Sequence, residues 1–169
     1  KATKDLMLKE PYYGYFLIML NKHWREDIPT AGVSKNGINY QLAINEQFWC
    51  DLTDLHRLGI LKHELLHIAF GHLGNYHSYN NKKMANIAMD MEINQYIEKD
   101  WLPGGEYTTE EYTALKETII AEYTAAKDNG ATEEELREIN SKLPMRGILI
   151  EDYHELNLDR KAGTKYYYK

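Results

Sequence analysis

The sequence has a single cysteine, no long apolar run and no excess of basic residues. Cys50 is the only cysteine, which excludes the cross-linked scaffolds of small secreted proteins and favours a reducing compartment. The longest apolar run, 15–20, is too short to span a bilayer, and no segment has the pattern of a signal peptide. We therefore predict a cytoplasmic protein, or a component of a non-secreted assembly, without a membrane partner.

The charge balance argues against nucleic acid as a partner. The 169 residues carry 20 Lys and Arg against 26 Asp and Glu, which gives a formal net charge of −6. Phosphate recognition needs a clustered basic face, and the sequence has none, so we predict no nucleic-acid binding. A chain of this length buries roughly 70% of its unfolded surface, enough for one stable domain over residues 1–169.

The first third of the chain predicts one helix and one β-hairpin. A helix begins at Pro11 and continues to about Trp24, because apolar residues recur there at helical spacing. Strict alternation from Ile38 to Ile44, after an Asn-Gly turn, indicates a half-buried strand with which residues 30–34 pair as a hairpin.

Two longer helices are predicted in the middle of the chain. Thr53 is a suitable N-cap for the first, whose leucines recur at helical spacing up to Gly71 or Gly74. The second covers residues 82–99, and apolar side chains occupy most of its circumference, so we expect it to be buried. Together these patterns predict a mainly helical α+β fold with a small β-hairpin or sheet.

The composition changes between residues 105 and 143, where Glu, Lys, Thr and Ala predominate. Apolar residues form only a narrow seam there, which predicts an inserted antiparallel helical hairpin that packs by one side. Thr109 can cap its first arm, Asn129-Gly130 makes the turn, and Thr132 with Glu135 forms a capping box for the second arm.

The last residues suggest that the sequence is part of a longer protein. Residues 147–150 could form a short strand, and residues 159–164 a polar loop. The chain ends in an apolar segment, 165–169, with no capping signal after it. We therefore expect a fragment of a longer chain.

Residues 63–67 read His-Glu-Leu-Leu-His, an H-E-x-x-H pattern inside a predicted helix. Because residues four apart lie on one helix face, His63 and His67 can point at a single ion. Neutral imidazole is a good zinc ligand, and Glu64 projects to the side, where it can take a proton from a zinc-activated water. About 0.03 such matches are expected by chance at this composition, so the pattern predicts a Zn²⁺ site.

A catalytic zinc needs a third protein ligand and an open position for water. Asp90 is the best candidate, because a carboxylate on a buried helix is costly unless it pairs with a donor or a metal. A hydrogen-bonded core aspartate is the alternative role for Asp90, and Asn94 could either orient a ligand or bond across a helix crossing. The other candidate ligands are His72, His77, His154 and Glu92.

A second motif makes the pattern more specific. Residues 86–94 read Asn-Ile-Ala-Met-Asp-Met-Glu-Ile-Asn, and shorter matching pieces occur in order elsewhere in the chain. These pieces are Pro-Tyr-Tyr-Gly at 11–14, Pro-Thr-Ala at 29–31, Leu-Pro at 102–103, Gly163 and the tyrosines at 166–167. Together with 63–67, they resemble a metallopeptidase family whose zincin-like N-terminal domain precedes a von Willebrand factor A-like domain.

The resemblance covers nearly the whole chain outside 105–143 and implies a fold, a metal site and a neighbouring domain. By it, the fold is zincin-like, Asp90 is the third zinc ligand and Glu64 is the general base. A C-terminal von Willebrand factor A-like domain is implied in the full chain. The metzincin spacing is not met, since Gly71 and His72 follow His67 by four and five residues, and the N-E-x-x-S-D helix of thermolysin-like enzymes is absent from the sequence.

We therefore predict a zinc metalloendopeptidase that hydrolyses peptide bonds of protein or peptide substrates. The strand 38–44 is a candidate edge for pairing with an extended substrate. Candidates for stabilising the oxyanion are Tyr76, His77, Tyr153 and His154. The alternative is a non-catalytic or latent zincin-like interaction module within a larger assembly, although a purely structural site has no need of Glu64.

Overall fold

The computed structural model describes residues 1–146, 149, 152–155 and 158–168, with only the backbone at 154 and 155. Helices predominate among the described residues, together with one small sheet, which confirms the prediction of a mainly helical α+β fold. The helices are α1 (Ala2–Lys9), α2 (Pro11–Ile18), α3 (Glu46–Asp51), α4 (Asp54–Ala69), α5 (His72–Asn75), α6 (Lys82–Asn94), α7 (Thr109–Asp128), α8 (Glu133–Ser141), α9 (Asp152–Glu155) and α10 (Thr164–Tyr167). The strands are β1 (Asn21–Trp24), β2 (Ala31–Asn36) and β3 (Asn39–Ile44). None of the described helices combines the length and apolar character needed to cross a bilayer.

The predicted hairpin is present, but its second strand lies in the centre of the sheet. The strand order is β1-β3-β2, with β2 antiparallel and β1 parallel to β3. The prediction that 38–44 is a sheet edge is therefore wrong. The alternation also fails at its first residue, because Ile38 precedes the strand and is 92% exposed, whereas Leu42 and Ile44 are buried.

The first predicted helix ends earlier than its apolar pattern indicated. α2 ends at Ile18, and the Lys22 ammonium donates hydrogen bonds to the Leu17 and Leu20 carbonyls at this end. Residues 21–24 then form β1, whose four residues are all exposed. Such a strand has no inward apolar face, so alternation of hydrophobicity could not reveal it.

α4 forms as predicted and supplies much of the core. The Thr53 hydroxyl accepts a hydrogen bond from the His56 amide, which confirms the predicted N-cap. The helix ends at Ala69, and Gly71 follows with a φ of 71°, a left-handed conformation that glycine adopts without a steric penalty. Gly59 permits close packing, because a Cβ there would lie 1.9 Å from the Trp101 carbonyl oxygen.

α4 also carries a buried ammonium, that of Lys62, which is not among the residues that line the cavity described below. Lys62 is 5% exposed and forms an ion pair with Glu10, which precedes α2. Its ammonium lies 5.2 Å from the Tyr13 ring centroid and 5.6 Å from that of Trp101. The ion pair and the two aromatic rings offset the cost of burying this charge.

α6 is shorter than the predicted helix over 82–99. It ends at Asn94, and the chain continues through tight turns in which the amides of Tyr96 and Ile97 donate to carbonyls three residues earlier. The Gln95 side-chain amide and the Tyr153 hydroxyl both donate to the Met91 carbonyl in the last turn of the helix. The predicted burial is confirmed on most sides, since Ala85, Ala88, Met89, Met91 and Ile93 are all buried.

The helical hairpin forms with both capping boxes. Thr108, rather than the predicted Thr109, caps α7, and Thr132 with Glu135 caps α8 as predicted. Its buried apolar side chains are Ile119, Leu136 and Ile139. The hydroxyl of Thr109 instead donates to Asp152, which ties the start of the hairpin to α9. The strand predicted at 147–150 lies largely outside the described residues.

The Asp152 carboxylate is expected to stabilise the fold in a pH-dependent manner. It accepts two hydrogen bonds from Arg146 and one each from the Thr109 hydroxyl and the Leu149 amide. Burial alone would raise the pKa of Asp152, but the bonds from Arg146 and Thr109 outweigh burial and lower it. The stabilisation is therefore complete above the unfolded pKa of about 3.9 and is lost as the pH falls through the lower folded pKa.

Asp152→Asn should accordingly lower the free energy of unfolding by about 3 kcal/mol at pH 7, because a buried Arg loses its charged partner. At an acidic pH below the lowered pKa of Asp152 the difference from wild type should shrink, since the wild-type carboxylate is then also neutral. Urea unfolding at both pH values measures this, with the exposed Asp128→Asn as the control for loss of one charge. An equal loss at both pH values would show that shape, not charge, explains the effect.

Candidate metal centre

The two motifs meet where α4 and α6 pack together. His63 and His67 project from one face of α4, and Asp90 projects from α6. All three side chains line a cavity of about 790 Å³, whose walls also include β2 and the segment around Tyr76. The sequence spacing therefore places these residues at one surface that is accessible from solvent.

The three side chains bring their ligand atoms into a triangle. The two Nε2 atoms of His63 and His67 are 3.1 Å apart, and the Asp90 Oδ1 lies 3.5 Å from the first and 3.2 Å from the second. Ligands about 2.0–2.1 Å from a tetrahedral zinc lie about 3.3–3.4 Å from one another. The observed triangle thus has the dimensions of three corners of a tetrahedral site, and it is the group of side chains among the described residues that could hold a metal ion.

The surroundings of the Asp90 carboxylate also favour a metal site. Its Oδ1 atom is buried and faces the His63 and His67 Nε2 atoms without forming a regular hydrogen bond, whereas its Oδ2 atom lies 3.4 Å from the amide of Asn86. A buried carboxylate oxygen without a partner is costly, and a metal ion would satisfy it.

The electrostatics also favour a cation at this position. Burial would raise the pKa of Asp90, but the adjacent His63 and His67 rings outweigh burial and lower it to about 2. Burial would lower the pKa of His63, but Asp90 and Glu64 outweigh it and raise that pKa. The carboxylate is therefore ionised at neutral pH, and the site attracts positive charge.

Glu64 lies beside the triangle and is not part of it. Glu64 is 7% exposed, lines the same cavity and is adjacent in sequence to His63. A carboxylate on the cavity wall next to the ligand atoms is available to accept or donate a proton. The described residues thus place a candidate base next to a candidate metal site.

Two of the alternative ligands proposed from the sequence lie behind the triangle. The Nδ1 atom of His72 is 2.9 Å from the Nδ1 atom of His67, and its Nε2 atom is 3.2 Å from a Glu92 carboxylate oxygen. Burial and the charge of His67 lower the pKa of His72, so its neutral form is favoured. On the other side, the Asn94 Oδ1 is 2.9 Å from the Nδ1 atom of His63.

The candidates for oxyanion stabilisation divide into two groups. Tyr76 and His77 line the cavity, although His77 lies outside the ligand triangle. Tyr153 is fully buried, and its hydroxyl donates to the Met91 carbonyl, so it has no access to the cavity. The prediction for Tyr153 is therefore wrong, and the side chain of His154 lies outside the described part of the chain.

Comparison with known proteins identifies the family. A family model described as "Putative metallopeptidase domain" matches residues 1–146. No curated protein and no solved structure was found to be similar to the chain. The match supports a peptidase role, a metal cofactor and a protein or peptide substrate. Because it includes both motifs and most of the 169 residues, the chain belongs to this family of metallopeptidase domains.

Proposed function

We propose that the protein is a zincin-like, zinc-dependent metalloendopeptidase in which His63, His67 and Asp90 bind Zn²⁺ and Glu64 is the general base. The observation that carries the proposal is the triangle of ligand atoms with its unpartnered Asp90 oxygen, open to a large cavity. The donor set of two imidazoles and one carboxylate is typical of catalytic zinc, which keeps one position for water or substrate.

The reaction divides between the metal and the side chains of this chain. When bound, zinc supplies Lewis acidity, which lowers the pKa of a water molecule and polarises a carbonyl group. Glu64 accepts the proton of the attacking water and later donates it to the departing amine. Asn94 holds the His63 ring by its Nδ1 atom, so that the Nε2 atom stays directed at the ligand triangle.

The substrate is proposed to bind along β2 rather than β3. β2 is an edge strand of the described sheet, and residues 30–35 line the cavity next to the metal ligands. An extended peptide can add to such an edge through main-chain hydrogen bonds, which places its backbone across the site without requiring particular substrate side chains.

A peptide methylated at its backbone nitrogens should then be cleaved more slowly than its unmodified counterpart, because the methylated nitrogens cannot donate main-chain hydrogen bonds to β2.

The test combines metal content with cleavage. Protein purified without chelators should contain about one zinc per chain and should cleave an unstructured protein such as casein. A chelator should abolish cleavage, and added zinc should restore it. Zinc binding without cleavage of any unstructured substrate would favour the non-catalytic or latent module, whereas absence of zinc binding would contradict the ligand assignment.

A further inference from the structure

A chain of hydrogen-bonding groups extends from one candidate ligand into the interior. It begins at His67 and passes through His72 to Glu92, which also contacts Thr164 in α10. His72 is 3% exposed and Thr164 is 7% exposed, so solvent competes little for these contacts. The inference drawn from this series of hydrogen bonds rests on the proposed zinc site.

We infer that His72, Glu92 and Thr164 are positioning residues that fix the proton of His67 on Nδ1 and thereby keep its Nε2 atom free to bind the metal. A neutral imidazole has one donor and one acceptor nitrogen. Since Nε2 of His67 faces the ligand triangle, its proton resides on Nδ1 and is donated to Nδ1 of His72.

The proton position on His67 determines the positions of the other protons in this series of hydrogen bonds. His72 accepts at Nδ1, so it carries its own proton on Nε2, which lies 3.2 Å from the Glu92 Oε2. That oxygen also accepts hydrogen bonds from the Thr164 amide, at 2.8 Å, and from the Thr164 hydroxyl. The converging donors stabilise the charged carboxylate, which in turn fixes the orientation of the His72 ring.

The backbone explains how His72 reaches this place. Gly71 adopts a left-handed conformation after α4, and His72 is the first residue of α5. This break in the helix allows the His72 ring to contact His67, which lies in the last turn of α4. His72 itself lies outside the ligand triangle.

Thr164 extends the site beyond the recognised domain. The family match ends at residue 146, whereas Thr164 follows 18 residues later and packs on α6 through α10. Segment 158–168 is therefore inferred to support the metal centre, although none of the three candidate ligands belongs to it.

The test measures zinc affinity by competition with a chromophoric chelator for the 169-residue chain and three variants. Outer partners of metal-bound histidines typically contribute about 10- to 100-fold in affinity. We expect His72→Phe to lose the most, Glu92→Gln about 10-fold, and Thr164→Val the least, because its backbone amide still donates to Glu92. The exposed Glu98→Gln is the control for loss of one carboxylate.

A second measurement separates positioning from general destabilisation. In zinc-loaded wild type labelled with ¹⁵N-histidine, two-bond ¹H–¹⁵N spectra should place the proton of His67 on Nδ1 and that of His72 on Nε2. A proton on Nδ1 of His72, or affinities equal to that of Glu98→Gln in the folded variants, would overturn the inference. Failure of wild type itself to bind zinc would instead contradict the proposed function.

Discussion

Replacement of Glu64 by glutamine is expected to lower the rate of peptide cleavage by about 10²- to 10⁴-fold while zinc stays bound. Glutamine keeps the size of the side chain and its polar contact with the cavity, but it cannot accept a proton from water at neutral pH. Since Glu64 is outside the triangle of ligand atoms, its replacement removes no metal ligand.

The measurement is single-turnover cleavage of a fluorogenic peptide, with zinc content determined on the same samples. Glu98→Gln makes the same chemical change at an exposed position and should cleave as wild type does. Loss of zinc together with activity in Glu64→Gln would mean that the carboxylate holds the metal site together. Unchanged cleavage would remove Glu64 as the base.

Asp90→Ala is expected to weaken zinc binding by more than about 100-fold, exceeding the effect of any outer partner. The substitution removes one of three ligands together with the negative charge that offsets the charge of the metal. At saturating zinc, a 100-fold loss of affinity removes about 2.7 kcal/mol of metal-dependent stabilisation. The rise in melting temperature on addition of zinc should therefore be clearly smaller in this variant than in wild type.

Thermal unfolding with and without zinc tests this expectation, and the exposed Asp128→Ala serves as the matched control. The zinc-free melting temperatures separate the two roles considered for Asp90. A large decrease in the absence of zinc, with zinc binding retained, would identify a structural core aspartate. In that case the third ligand would have to be sought elsewhere on the cavity wall, at His77 first.

The predictable parts of the fold are those with strong local signals. Thr53 and the Thr132–Glu135 capping box marked helix starts correctly, because a cap depends on residues within one turn. β1 was missed because its pairing with β3 involves residues 20 positions apart and leaves no apolar face. The end of α6 was misplaced for a related reason, since long-range contacts of Gln95 with Lys161 and Tyr167 replace a further helical turn.

In the candidate site, too, the residues with local sequence signals were predicted, whereas those that depend on distant contacts were not. The spacing of His63 and His67 and the burial of α6 were sufficient to select Asp90 as a candidate, and the geometry brings the three together. The contact of Glu92 with Thr164 joins residues 72 positions apart, and nothing in a lone threonine before a tyrosine run signals it. His72 illustrates a further difficulty, because its contact with His67 depends on the left-handed conformation of Gly71, which interrupts the helix between them.

The helical hairpin has a practical consequence. Its tip, Asn129-Gly130, is exposed, and Gly130 has a φ of 79°. None of the residues that line the cavity belongs to α7 or α8, so the hairpin and its tip form no part of the cavity wall. A fluorophore or affinity tag inserted at this turn would report on the protein from a distance and leave the entrance to the metal centre unobstructed.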